Sequence, residues 1–193
     1  MNPRPFRFVW PALLVLFVTA CGGDSDEDET PGPAPAQTEV PQGEGITAQA
    51  SCGLPDFQVS VMERVNRARA EARLCGSNAF PAAPPLAWND RLFDAAAGHA
   101  ADMAQNDYFS HESLDGRTFS ERITEAGYEW SAAGENIAAG QADVEQVIQA
   151  WLDSPGHCAN IMSDSFTEIG VACVANPDST YTQYWGMSLA RPR

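Results

Sequence analysis

Residues 166–190 read FTEIGVACVANPDSTYTQYWGMSLA. Apolar and small or polar residues alternate through FTEIGVACVA, which puts Ile169, Val171 and Cys173 on one face. They alternate again through YTQYWGMSLA, where Tyr181, Gln183, Trp185, Met187 and Leu189 fall together. A period of two is the signature of half-buried strands. The intervening NPDST supplies turn residues, so the stretch reads as an antiparallel hairpin.

Upstream the period is helical. Val61, Val65, Ala68 and Ala72 predict a first helix over 58–74, begun near Val61 by a Ser60–Glu63 capping box. SNAFPAAPP reads as a loop. Asn89 is placed to cap a second helix, with Leu92, Ala95, Ala96, His99, Ala100 and Met103 on one face. Thr118 and Glu121 predict another capping box before a short helix that ends at Gly127. Asp143 caps a fourth, whose Val144, Val147, Ile148, Trp151 and Leu152 make an apolar stripe that Pro155 and Gly156 stop. A third strand is expected at GENIA. Helices lead, strands follow and no βαβ alternation appears, so the fold class is α+β.

The N-terminus sets the compartment. Arg4 and Arg7 precede an apolar run from Phe8 to Ala20, thirteen residues long. That length suits a signal peptide and is too short for a permanent membrane span. Val18-Thr19-Ala20-Cys21 looks like a lipobox, so residues 1–20 are expected to be removed and Cys21 lipidated. Several acyl chains on one residue give a stable anchor. Residues 21–50 carry seven acids, no base and repeated Pro and Gly. Such a segment cannot bury enough apolar surface to offset its ordering entropy and reads as a disordered tether. Residues 51–193 then form one domain of ordinary length. The expected location is the cell envelope, on the extracytoplasmic side.

Removing the two leader arginines takes the formal charge from −15 to −17, and all eleven basic residues are arginine. With no lysine, Schiff-base and phosphate-loop lysine chemistry is excluded. An acidic domain without a basic stripe also argues against nucleic acid. Cys52, Cys75, Cys158 and Cys173 remain after Cys21, an even count that favours disulfides in an exported chain. Three pairings are open, and Cys52–Cys75 with Cys158–Cys173 is preferred. The segment from 52 to 60, extended at about 3.3 Å per residue, can run back along a helix roughly 20 Å long. Cys158 beside His157 is then a bridge sulfur and no thiolate nucleophile.

Three histidines are present: His99, His111 and His157. His99 lies on the apolar helix face and reads as a hydrogen-bonded structural residue. His111 follows a helix in YFSHESLDG, Glu135 sits among small residues in WSAAGENIAAG, and His157 follows a helix-breaking Pro-Gly. Two imidazoles and a carboxylate converging from three loops would make a zinc site or a general acid–base set. No H-E-x-x-H or G-x-S-x-G motif supports a ready-made hydrolase.

The motifs VNRARAEA, PPLAWNDRL, AADMAQNDYFSHESLDG, ERITEAGY, GENIAAG, AWLDSPGHCANIM and FTEIGVAC occur in an order that resembles bacterial members of the CAP superfamily. That superfamily comprises the cysteine-rich secretory, antigen 5 and pathogenesis-related proteins, and the likeness covers residues 57–190. It implies an α–β–α sandwich with a central antiparallel sheet and an open cleft. The resemblance places His111, Glu135 and His157 in that cleft and implies that they hold a divalent metal such as zinc. A fourth acid would stand at Ser154, with Asp153 as the neighbouring substitute.

Members of the superfamily are associated with lipid binding, protein partners, membranes or proteolysis, so fold alone does not give function. The preferred reading is a membrane-tethered, non-catalytic binding module whose His/Glu-lined cleft takes a metal or an apolar ligand, lipid or protein. The alternatives are a metal-dependent hydrolase using His111, Glu135 and His157, and a structural or interaction domain with no ligand.

Overall fold

Each of the caps expected at Asn89, Thr118 and Asp143 forms in the computed structural model, which describes residues 50–193. The expected leader, the expected lipidation site Cys21 and residues 21–49 of the expected tether lie outside the described residues. Ala50 and Ser51 already belong to the domain: Ala50 packs on Phe93, and Ser51 bridges to Cys173.

The chain runs α1 (Phe57–Arg69), β1 (Arg73–Cys75), β2 (Asn78–Phe80), β3 (Ala87–Trp88), α2 (Asp90–Asn106) and α3 (Phe119–Glu125). It continues through β4 (Trp130–Ala139), α4 (Val144–Asp153), α5 (Pro155–Met162), β5 (Glu168–Ala175) and β6 (Gln183–Pro192). The main sheet has the order β3-β5-β6-β4. The hairpin β5–β6 is antiparallel with Val171 opposite Met187, β4 pairs antiparallel with β6, and the short β3 runs parallel to β5.

Alternation along β5 and β6 assigns the two faces. Ile169, Val171, Trp185, Met187 and Leu189 pack under α1, α4 and α5, where Val61, Val65, Val147, Trp151 and Ile161 complete one core. The opposite face is cut short at Gly170 and Gly186 so that α2 can lie against it. A Cβ on Gly170 would sit 2.0 Å from the Phe93 nitrogen, and one on Gly186 would sit 2.8 Å from the Ala96 oxygen. Backbone contact of that kind is available only to glycine. The result is the expected α–β–α sandwich.

Asn89 Oδ1 accepts from the backbone N–H of Arg91 at 3.0 Å. Thr118 and Glu121 form the full capping box, and Asp143 Oδ1 accepts from Gln146 N–H at 2.8 Å. Four expectations change. First, α1 starts at Phe57 with Asp56 as its cap residue, so Ser60 lies inside the first turn and does not cap. Second, α1 stops at Arg69 and leaves Arg73–Cys75 to pair with Asn78–Phe80 in a small hairpin. Third, the GENIA strand is ten residues long. Fourth, Pro155 does end α4, but it also occupies the first turn of α5, where proline's missing N–H costs nothing.

The disulfides also differ from the preferred pairing. Cys52 bonds to Cys173 and Cys75 to Cys158, with Cα separations of 5.2 and 5.4 Å. The segment before α1 does not fold back along the helix. It runs beside β5 instead, where Cys52 N–H donates to the Cys173 carbonyl at 3.0 Å. The helix therefore carries Cys75 away to its far end, where it is buried with Cys158 and Met162. Buried Arg69 closes the same region by donating to the carbonyls of Ile161 and Ser163 at 2.6 and 2.8 Å, which holds the end of α5. Among the described residues no helix is long and apolar enough to cross a membrane.

Candidate functional site

The open edge of β4 is where the two helical layers meet. Gly134 and Asn136 face the α1/α4/α5 layer: Phe166 closes on Gly134, and Asn136 contacts the Met187 sulfur at 3.5 Å. Glu135, one position between them, faces the α2/α3 layer. Its outward carbonyl receives Asn160 Nδ2 from α5 at 3.1 Å. Asn160 also donates to Asn136 Oδ1 at 2.8 Å, and Asn136 donates to the His157 carbonyl at 3.1 Å. Side-chain amides thus cover an edge that would otherwise leave strand groups unpaired, and they fix the first turn of α5 against β4.

From the other layer comes the loop after α2. Asp107 ends that helix in the left-handed region at φ 50°. The chain then turns through Ser113 and Gly116, where Gly116 at φ +87° donates to the Ser113 carbonyl at 2.9 Å. His99, 1 % exposed, bonds the Ser110 carbonyl through Nε2 at 2.8 Å. It is the structural histidine that its helix position predicts. Burial, the largest influence, lowers its pKa, and the Tyr108 hydroxyl beside it is pushed up to about 12 by burial and by the Asp102 carboxylate it donates to.

These two supports bring His111, Glu135 and His157 together. His111 Nδ1 lies 2.8 Å from Glu135 Oε1, and the His111 and His157 rings stand 6.5 Å apart between centroids at 51°. His111 is half-exposed while the Glu135 side chain is only 3 % exposed. The second carboxylate oxygen meets Arg122 of α3, whose Nη2 donates to Glu135 Oε2 at 2.6 Å and to the His111 carbonyl at 3.0 Å. Its Nη1 donates to Ser113 Oγ at 3.0 Å and to the Arg117 carbonyl at 2.9 Å. The guanidinium therefore serves as counter-ion to the buried acid and as the pin of the His111 loop. Burial first, and then the neighbouring His111, lowers the pKa of His157.

Arg122 is the residue that sequence reasoning missed. No spacing signal marks it: Arg122 stands beside Ile123 in a seven-residue helix, and only the packing shows that both are buried. Asp153 is not brought to the site; it is exposed and accepts from Gln149 Nε2 at 2.8 Å on the outside of α4. Ser154 joins α4 to α5 as a cap residue.

A zinc held by two imidazoles and a carboxylate requires the carboxylate to face the ion. Both Glu135 oxygens are already taken, and among the described residues no three His, Cys, Asp or Glu side chains are placed to hold a metal. The residues present do not fit a three-ligand shell. Among the described residues His111 Nε2 and both ring nitrogens of His157 have no hydrogen-bond partner, and they are what the site offers to a ligand.

An α–β–α sandwich with a histidine–glutamate cluster at the edge of its sheet defines the class, and sequence relationship gives the family. The profile of the CAP: Cysteine-rich secretory protein family matches residues 62–188, and the chain belongs to that family. It is 32 % identical over 137 residues to the uncharacterized protein YkwD of Bacillus subtilis, a match covering 71 % of this chain and 49 % of the relative. It is 35 % identical over 86 residues to the uncharacterized membrane protein YlbC of the same organism, covering 45 % and 25 %. The chain therefore spans about half the length of one curated relative and a quarter of the other. A solved extracellular protein containing a SCP domain, from Bacillus anthracis, is similar at 36 % identity and a TM-score of 0.50, covering 56 % of this chain and 34 % of that one. An outer surface protein of Borrelia burgdorferi shares the fold at 22 % identity and a TM-score of 0.53, covering 57 % and 80 %.

Proposed function

We propose that this CAP domain is a non-catalytic binding module, tethered to the extracytoplasmic face of a membrane through lipidated Cys21. Its ligand is received where His111 and His157 meet over the edge of β4. The engagement of Glu135 carries this reading: one oxygen is held by His111 at 2.8 Å and the other by Arg122 at 2.6 Å. A hydrolase of the kind the sequence raises needs a carboxylate free to bind an ion or move a proton. Glu135 is instead a fixed partner that orients the His111 ring. Among the described residues, a divalent ion entering here would find only the two imidazoles as ligands, with Glu135 behind His111 as its carboxylate partner. The lipobox leader, the two disulfides and the extracellular relative from Bacillus anthracis support placement outside the cytoplasm.

The test is metal and lipid analysis of the full chain purified from its native envelope, together with zinc titration. Bound metal or lipid that is lost in both His111→Ala and His157→Ala supports the reading. Retention in both variants eliminates this site. Peptide or ester hydrolysis by the parent that disappears in Glu135→Gln would replace the binding reading with the enzymatic one. Mass spectrometry of the membrane-extracted protein should give a mature N-terminus at acylated Cys21, and an unmodified cysteine there rejects the anchor.

A further inference from the structure

In a chain with eleven arginines against twenty-six acids, three arginines converge on one cavity away from the histidine cluster. Arg64 and Arg67 reach it from α1 and Arg73 from the start of β1, and the outer side of α4 closes it. The cavity has a volume of about 270 Å³. Two carboxylates share its wall. Glu145 is committed to Arg64 at 3.1 Å, and Glu71 is exposed. Three guanidiniums against two carboxylates leave the wall positive on a strongly negative molecule.

Arg73 marks the site as incomplete. Its Nε is buried and has no hydrogen-bond partner among the described residues. An unmet buried donor is costly, more so when charged, and such groups in native folds call for an explanation. Arg67 also has no acid or carbonyl partner within the described fold, although it is long enough to find one. A guanidinium edge offers parallel N–H donors spaced for two oxygens of one oxyanion. An oxyanion in this cavity would satisfy Arg73 once its guanidinium turned toward the opening, with Arg67 as a second cation. A cationic ligand is disfavoured by the same three side chains.

We infer that the cavity between α1, β1 and α4 is a binding site for a ligand bearing a carboxylate or phosphate group, held by Arg73 and Arg67. This site is independent of the histidine cluster and of the function proposed for it. The test is titration of the ¹⁵N-labelled full-length chain with inorganic phosphate and, in parallel, with acetate, at constant ionic strength set by chloride. The arginine Nε–H resonances report directly. Saturable movement of the Arg73 Nε–H signal in either titration is expected, and the responding anion identifies the oxyanion. Binding should weaken tenfold or more in Arg73→Gln and severalfold in Arg67→Ala, which is exposed on its helix and leaves the core intact. Arg193→Ala should bind as the parent does. Linear, non-saturating shifts with both anions overturn the inference, as does affinity unchanged in both Arg73→Gln and Arg67→Ala.

Discussion

Replacing Arg122 with methionine should be among the most damaging single changes at the candidate site. Methionine keeps an apolar stem of similar length but removes the guanidinium that contacts Glu135, Ser113 and the carbonyls of His111 and Arg117. The Arg122 and Glu135 side chains are 5 % and 3 % exposed, so water does not replace the lost partner. Breaking a buried ion pair from one side costs about 3–5 kcal/mol, because the remaining charge is left uncompensated. For a domain of this length, each kcal/mol lowers Tm by roughly 3–4 °C, so a fall of about 9–20 °C is expected. Glu135→Gln removes the charge while keeping an acceptor for the His111 ring, and combined with Arg122→Met it leaves neither ion stranded. The double variant should therefore be more stable than the sum of the singles predicts, by about 1–3 kcal/mol. Guanidinium unfolding with the disulfides intact, followed by the fluorescence of buried Trp151 and Trp185, measures all four proteins. A loss below about 1 kcal/mol in Arg122→Met, or additivity within about 0.5 kcal/mol, would refute the role assigned to the pair.

Gly170→Ala forces a methyl group to 2.0 Å from the Phe93 backbone. A helix backbone cannot yield as a side chain does, so stability should fall by about 3 kcal/mol or more, read as loss of soluble protein or a lowered guanidinium midpoint. Acid should weaken the fold through His99 and His157. Burial lowers both folded-state pKa values, so the unfolded chain takes up protons first. Their contribution is complete above the ordinary imidazole value of about 6.5 and is lost as pH falls below it. His99→Gln should flatten that part of the stability profile, and an unchanged slope between about pH 6.5 and 5 would argue against its buried neutral form.

What could be read from the sequence was what short-range chemistry decides. Asn89, Thr118 and Asp143 cap helices through their own side chains within three residues, so their pattern is local and legible. The β5–β6 hairpin was equally plain, because Ile169, Val171, Trp185 and Met187 alternate whatever else packs on them. Pro155 was ambiguous for a physical reason: the residue that stops one helix is equally suited to open the next. The Ser60–Glu63 pair had the capping spacing, but Phe57 is drawn into the core and starts the helix a turn earlier. Disulfide partners and the Arg122–Glu135 pair depend on which segments lie side by side, and spacing along the chain does not encode that. His111, Glu135 and His157 were found through motif resemblance, while the commitment of Glu135 to an arginine was visible only in three dimensions.

The two disulfides are nested, since the ring closed by Cys75 and Cys158 lies inside the one closed by Cys52 and Cys173. His111, Glu135 and His157 all fall within the inner ring. A protease that cuts the exposed loop around His111 would therefore release nothing, because both new ends stay covalently tied to the same body. For a domain placed outside the cytoplasm, as proposed above, a nick becomes a wound that the domain can carry. Such cleavage should appear on a gel only after reduction.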